Sequence, residues 1–122
     1  MKMHMIVLVD DEPEVLSALR RVLAREPYLV LTTSKPREAL RWVEALDVSA
    51  VVSDERMPEM TGTELLGRIS DRSPETARIL LSAVAGTAVR RPHSVECLIE
   101  KPWDDSLLKR ALREFLPEPV GD

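Results

Sequence analysis

Five short apolar segments alternate with longer segments in which the apolar residues recur at helical spacing. The apolar segments, at residues 5–9, 28–33, 48–53, 77–81 and 95–99, have strand length and are rich in Val, Ile and Leu. Strands that alternate with helices are typical of a parallel sheet covered on both faces. The sequence therefore predicts an α/β domain with five parallel strands.

The starts of the predicted helices are marked by residues that suit a first turn. Pro13 fits the first turn of the first helix, Ser34-Lys35-Pro36 opens the second, and Asp104 is placed to cap the last. Thr61 and Glu64 match a capping box, in which the Thr hydroxyl accepts from the Glu amide and the Glu carboxylate reaches back. We expect Leu46 in the second helix and Leu107 in the last to face the core.

One stretch does not fit the alternation. Residues 83–94 should hold the fourth helix, but they contain Gly86, Thr87 and Pro92, and a proline ends any helix that precedes it. We expect a short or irregular fourth helix there. Residues 1–116 are predicted to form a single domain, with 117–122 as a C-terminal tail or the stub of a linker.

Polar or charged residues follow four of the five predicted strands. Asp10 and Asp11 follow the first strand, Asp54 the third, Ser82 the fourth and Lys101 the fifth. Open α/β sheets bind their ligands outside the carboxyl ends of the strands, so these groups are expected to meet at one edge. Two carboxylates about 5 Å apart at an effective dielectric near 20 repel by about 3 kcal/mol. A shared proton, a lysine or a cation must offset that repulsion, and Mg²⁺ is the cation that suits carboxylates and phosphate best.

Composition narrows the function further. The chain has 122 residues, 44% of them hydrophobic and 31% charged, and a formal net charge of −4, so no basic surface for nucleic acid is implied. Cys97 is the single cysteine, which excludes an internal disulfide. The apolar runs are too short to span a membrane. These features predict a soluble, cytoplasmic protein that binds neither nucleic acid nor membrane by itself.

Four motifs together resemble the receiver domain of two-component response regulators. They are, in chain order, VDDEP at 9–13, SDERMPEMTGTELL at 53–66, ILLSA at 79–83 and IEKPW at 99–103. Each motif alone is weak, but the four in this order on alternating strands and helices are specific, and the resemblance covers essentially the whole chain. It implies a doubly wound, flavodoxin-like receiver fold with strand order 2-1-3-4-5.

The resemblance also implies a role for each residue at the expected edge. Asp54 would accept the phosphoryl group. Asp11 would ligate Mg²⁺, or Mn²⁺, directly, and Asp10 would help to hold the metal and its waters. Asp54 itself and the backbone carbonyl of Arg56 would complete the metal-binding set.

Further positions match the family, and one departs from it. Ser82 takes the place of the switch hydroxyl and Lys101 that of the phosphate-binding lysine, with a cis bond expected at Lys101-Pro102. Receivers often carry an aromatic residue three positions before the lysine, where this chain has Leu98. The interval from Ser82 to Lys101 is also shorter than usual, which puts signal output through the fourth helix in doubt.

The resemblance implies a phosphoacceptor switch. Asp54 would receive a phosphoryl group from a histidine kinase or phosphotransfer protein in a Mg²⁺-dependent reaction, and the modified form would change its affinity for an effector protein or domain. No turnover of an external substrate is expected. Three alternatives stay open: a pseudo-receiver that acts without phosphorylation, a haloacid-dehalogenase-like phosphatase, which would usually have a second Asp where this chain has Arg56, and an input domain excised from a larger regulator.

Overall fold

The computed structural model describes residues 3–83 and 94–117. Within these ranges five strands and four helices follow one another in the order β1, α1, β2, α2, β3, α3, β4, β5 and α4. Their bounds are β1 His4–Val9, α1 Pro13–Leu23, β2 Tyr28–Thr33, α2 Pro36–Ala45, β3 Ala50–Asp54, α3 Gly62–Arg72, β4 Ala77–Ser82, β5 Cys97–Glu100 and α4 Asp105–Phe115.

The five strands form one parallel sheet. Its strand order is β2-β1-β3-β4-β5, which confirms the predicted fold class and topology. The first strand, β1, lies next to the edge strand β2, and the chain then crosses to the central strand β3 on the other side of β1. The carboxyl ends of β1 and β3 are therefore direct neighbours, because Val9 pairs with Ser53.

A hydrophobic layer covers each face of the sheet. Ile6 and Leu8 of β1 pack with α1 and α4 on one face. Val7 and Val9 point to the opposite face and pack with α2 and α3. Successive strand residues face opposite sides, so a run that is apolar at every position is buried on both faces, as parallel sheets require.

The helix starts follow the sequence signals. Pro13 occupies the first turn of α1 and Pro36 the first turn of α2. The carboxylate of Asp104 accepts hydrogen bonds from the backbone N–H groups of Ser106 and Leu107. These three predicted starts are confirmed.

Two apolar residues expected in the core are exposed. Leu46 retains 42% of its accessible surface because α2 ends at Ala45 and Leu46 already has an extended backbone. Leu107 retains 45%, since the buried stripe of α4 runs through Leu108, Ala111 and Leu112 and leaves Leu107 at its margin.

The fourth helix is expected within residues 83–94, and all of that stretch except Ala83 and Ser94 lies outside the described residues. Among the residues that the structure does describe, no helix has the length and apolarity needed to cross a membrane.

Candidate functional site

Three aspartates meet at the carboxyl edge of the sheet. Asp10 follows β1 directly, Asp11 comes next, and Asp54 is the last residue of β3. One carboxylate oxygen from each lies within 4.8 Å of the other two. The convergence expected from the sequence is therefore present.

Asp10 is the most constrained of the three acids. Its side chain is 0% exposed, and its Oδ1 accepts a hydrogen bond of 2.9 Å from the backbone N–H of Glu12. Its Oδ2 has no hydrogen-bond partner among the described residues. Burial raises the pKa of Asp10 from 3.8 to about 6. The Glu12 N–H and the Lys101 ammonium act in the opposite direction, and the negative charge of Asp54 adds to the rise.

Lys101 supplies the positive charge. Its Nζ lies 2.7 Å from Asp54 Oδ1 and 3.6 Å from Asp10 Oδ2. Burial acts to lower the pKa of this ammonium, but the hydrogen bond to Asp54 and the charge of Asp10 outweigh it, so the pKa of Lys101 lies above 10.5. The following peptide bond, Lys101-Pro102, is cis as predicted.

Ser82 lies at the same edge, as the last residue of β4. It is buried, and its carbonyl accepts a hydrogen bond of 2.8 Å from the backbone N–H of Lys101. Asp54 pairs with Leu81, the residue before Ser82. Ser82 therefore adjoins both Asp54 and Lys101 through the backbone, and its role as the switch hydroxyl stays a prediction.

A loop from β3 to α3 forms one wall of the site. Residues 55–61 connect the two elements, and a groove of about 570 Å³ separates this loop from Asp11. Arg56 is exposed and lines the groove. The contribution of its backbone carbonyl to metal binding stays a prediction.

The capping box at the start of α3 is only half right. The Thr61 hydroxyl accepts from the backbone N–H of Glu64 at 3.1 Å, as predicted. The Glu64 carboxylate binds Arg68 one turn later instead. Glu55 caps the helix in its place, accepting from the backbone N–H of Thr63 at 2.8 Å and from its hydroxyl at 2.9 Å.

Sequence reasoning missed Glu55 because this contact spans eight residues and follows no helical or strand period. The sequence contains only an indirect indication that Glu55 caps α3. A helix start leaves several backbone N–H groups without acceptors, and Thr61 can satisfy only part of them. An acid in the preceding loop is a natural second acceptor.

The donor set fits a divalent cation. Three carboxylates face one ammonium, so two negative charges remain unbalanced at neutral pH. Carboxylate and carbonyl oxygens are the ligands that Mg²⁺ prefers, and a buried oxygen without a partner, such as Asp10 Oδ2, is costly until something binds it. The residues present therefore suit a hard cation such as Mg²⁺.

Comparison with known proteins agrees with this geometry. The model of the response regulator receiver domain matches residues 6–113. The hydrogenase transcriptional regulatory protein HoxA of Cupriavidus necator is 41% identical over 106 residues, which is 84% of this chain but only 22% of that protein. The transcriptional regulatory protein GlrR of Escherichia coli is 32% identical over 93% of this chain and 26% of its own length. The chain thus spans about a quarter of these relatives.

Solved structures agree as well. The signal receiver domain of an HD domain-containing protein from Pseudomonas fluorescens superposes with a TM-score of 0.85 at 31% identity, covering 95% of this chain and 88% of that one. The response regulator TrrA of Thermotoga maritima, solved in complex with Mg²⁺ and BeF, has a TM-score of 0.83 at 28% identity and covers 93% and 100% of the two chains.

Proposed function

The chain belongs to the response regulator receiver domain family of two-component systems, and from this premise we propose that it is a phosphoacceptor switch. Asp54 receives a phosphoryl group from a histidine kinase or a phosphotransfer protein. The observation that carries the proposal is the position of Asp54, which lies 2.7 Å from the Lys101 ammonium and within 4.8 Å of two further carboxylates. A carboxylate in such surroundings can act as a nucleophile toward phosphorus.

The transfer exchanges one bond for another. An Asp54 carboxylate oxygen attacks the phosphorus, the bond from phosphorus to the donor nitrogen breaks, and that nitrogen keeps the electron pair. The Lys101 ammonium, already beside Asp54 and Asp10, balances negative charge on the incoming oxygens. Ser82, at the end of the neighbouring strand, is the hydroxyl that we propose donates to the phosphoryl group after transfer.

Asp10, Asp11, Asp54 and the backbone carbonyl of Arg56 would hold the cation, Mg²⁺ or Mn²⁺. When bound, it supplies charge neutralisation between the phosphoryl oxygens and the carboxylates. Asp10 contributes a buried oxygen, Oδ2, that accepts no hydrogen bond from the described residues. Asp11 is exposed and borders the groove, where a donor can enter.

The modified form signals through a change of charge. A phosphoryl group adds about one to two negative charges and strong acceptors, toward which the Ser82 side chain can move. Leu98 packs half-buried against the core where many receivers have an aromatic residue, so we expect the output to depend on backbone displacement at β4 and β5. The partner is an effector protein or domain in the cytoplasm, and we expect no turnover of an external substrate.

Mass measurement tests the proposal directly. The protein is incubated with acetyl phosphate and Mg²⁺, and one phosphoryl group per chain is expected in the wild type. Asp54→Ala and a sample with the metal chelated should stay unmodified. Equal labelling of Asp54→Ala, or an unlabelled wild type, would contradict the assignment.

A pseudo-receiver is the second candidate, favoured by the aliphatic Leu98. It predicts the same partner affinity with and without beryllofluoride, a phosphoryl mimic. A phosphorylation switch predicts a difference, and Asp54→Ala should abolish that difference.

A further inference from the structure

Glu55, the residue directly after the proposed acceptor, joins the two ends of the loop that walls the site. Its carbonyl accepts a hydrogen bond of 2.9 Å from the backbone N–H of Gly62. Its carboxylate accepts from the backbone N–H and the hydroxyl of Thr63. One residue thus fixes where β3 ends and where α3 begins.

The first turn of α3 makes this contact specific. The leading N–H groups of a helix have no acceptor within the helix. The Thr61 hydroxyl accepts from Glu64, and Glu55 accepts from Gly62 and Thr63. A carboxylate at a helix N-terminus also gains from the helix dipole, and hydrogen bonds to an ionised acceptor are stronger than neutral ones.

The start of α3 packs directly on the acceptor residue. A Cβ atom added to Gly62 would collide with the backbone oxygen of Asp54, so the approach leaves no room for a side chain. Met57 and Met60 anchor the loop in the core, while Arg56 stays at the groove. Because Glu55 links the strand end to the first turn of α3 through its carbonyl and carboxylate, we expect a displacement of α3 to shift the loop between them, which includes the Arg56 backbone.

We propose that Glu55 is a positioning residue for the divalent cation. It holds the loop closed, so that the Arg56 carbonyl stays within reach of the cation that Asp11 and Asp54 bind. The inference rests on the proposed function, from which it takes the residues that bind the cation. Groups that orient metal ligands typically contribute tenfold or more to metal affinity, so loss of this contact should weaken Mg²⁺ binding by about tenfold.

Two simpler roles make different predictions. If Glu55 only caps α3, its loss lowers the melting temperature but not the Mg²⁺ affinity. If it only adds negative charge near the site, Glu55→Gln and Glu55→Ala should weaken binding equally. Positioning predicts rescue by Glu55→Gln, because an amide oxygen can still accept from the Thr63 N–H and hydroxyl.

Isothermal titration of the metal-free chain with MgCl₂ separates these roles. Glu55→Ala should bind about tenfold more weakly, with Glu55→Gln within about twofold of wild type. The matched control is Glu64→Ala, in the same helical turn, because the Glu64 carboxylate contacts Arg68 within α3 and the backbone N–H that Thr61 caps is kept in this variant. This variant should also stay within about twofold of wild type. Wild-type affinity in Glu55→Ala, or an equal loss in Glu55→Gln, would overturn the inference.

Two further measurements complete the test. If Glu55→Ala fails to fold, Glu55→Leu takes its place, because leucine is similar in size but has no acceptor for the Thr63 N–H and hydroxyl. Wild-type affinity in Glu55→Leu would overturn positioning. Labelling by acetyl phosphate at saturating Mg²⁺ separates this inference from the proposed function. A labelled Glu55→Ala with unchanged affinity defeats positioning alone, whereas a wild type that neither binds Mg²⁺ nor is labelled defeats both.

Discussion

Each end of the sheet contains a buried charged side chain, but only the one near the amino end has its hydrogen bonds satisfied within the protein. Near the amino end, Arg78 of β4 is only 8% exposed. Its guanidinium donates hydrogen bonds of 2.7 to 3.1 Å to the carbonyls of Ser94, Pro74 and Thr76, and the Glu96 carboxylate lies 3.7 Å away. At the carboxyl end, Asp10 is fully buried with one oxygen unsatisfied.

The difference separates a charge that the protein satisfies by itself from one that we propose binds a ligand. A buried charge is tolerated when hydrogen bonds replace its lost hydration. Arg78 meets that condition within the protein, so its consequence is stability. Asp10 meets it only in part, because its Oδ2 accepts no hydrogen bond from the described residues and the Lys101 ammonium lies 3.6 Å away. A bound cation would stabilise the ionised form further, and a proton would convert it to the neutral form. The two ends should therefore respond oppositely when the charge is removed.

Removal of the Arg78 charge, which hydrogen bonds satisfy, should have the largest effect on the free energy of unfolding. Arg78→Met removes the donor from three carbonyls, of which that of Thr76 belongs to a buried residue, whereas Ser94 is half-buried and Pro74 exposed. We expect the free energy of unfolding to fall by about 3 kcal/mol, because each buried group without a partner costs about 1–3 kcal/mol. Urea denaturation measures the change.

Arg113→Ala is the control for Arg78. Arg113 pairs with Glu26, but its side chain is 63% exposed, so its loss should cost less than about 1 kcal/mol. Equal losses in the two variants would show that the hydrogen bonds of Arg78 do not stabilise the fold.

Removal of the unsatisfied charge should stabilise the metal-free protein. The pKa of Asp10 is raised from 3.8 to about 6, so the folded state binds the proton more tightly than the unfolded state. Stability from this group is complete below pH of about 4 and is lost as the pH rises through about 6. At pH 7 with chelator, Asp10→Asn should therefore be more stable than wild type by about 2–3 kcal/mol.

Magnesium should reverse that ranking. Wild type should gain stability with increasing Mg²⁺, while Asp10→Asn, which lacks one of the proposed ligand oxygens, should gain less. Denaturation in urea at pH 4 to 7, with chelator and with Mg²⁺, measures both effects. A metal-free Asp10→Asn less stable than wild type at pH 7 would contradict the comparison.

Loss of the Lys101 ammonium, which balances the charge of Asp10 and Asp54, should have a moderate effect on the free energy of unfolding. Lys101→Met removes the ammonium that lowers the pKa of Asp10 and binds Asp54. We expect a loss of about 1–2 kcal/mol at pH 7 without metal. The loss should shrink at pH 5, where Asp10 is largely protonated.

The exposed Lys35 offers a matched substitution, Lys35→Met, which should change stability by less than about 0.5 kcal/mol. A loss in Lys101→Met that is the same at both pH values would mean that Asp10 and Lys101 are not coupled.

The side chains that meet at the carboxyl end of the sheet could be predicted from the sequence far better than those at the amino end. Apolar runs fixed the strands, and the strand order then forces residues that follow them to one edge, so the meeting of Asp54 with Lys101 could be inferred. The burial of Arg78 could not, because an arginine near a strand start has the same local pattern whether it faces water or distant carbonyls. The acceptor role of Glu55 escaped for a related reason, since its contact depends on how the loop folds.

The smallest predicted effect applies one chemical change to both ends. Glu96→Gln neutralises the acid beside Arg78, as Asp10→Asn neutralises the acid beside Lys101. Glu96 Oε1 accepts from the Arg78 backbone N–H at 3.2 Å, a bond that an amide oxygen can keep, and its ion pair with Arg78 is long and partly exposed. We expect a loss of less than about 1 kcal/mol, insensitive to Mg²⁺. If both Glu96→Gln and Asp10→Asn were more stable than wild type in the presence of chelator, general charge repulsion would determine the stability of the metal-free protein, and not the unsatisfied oxygen of Asp10.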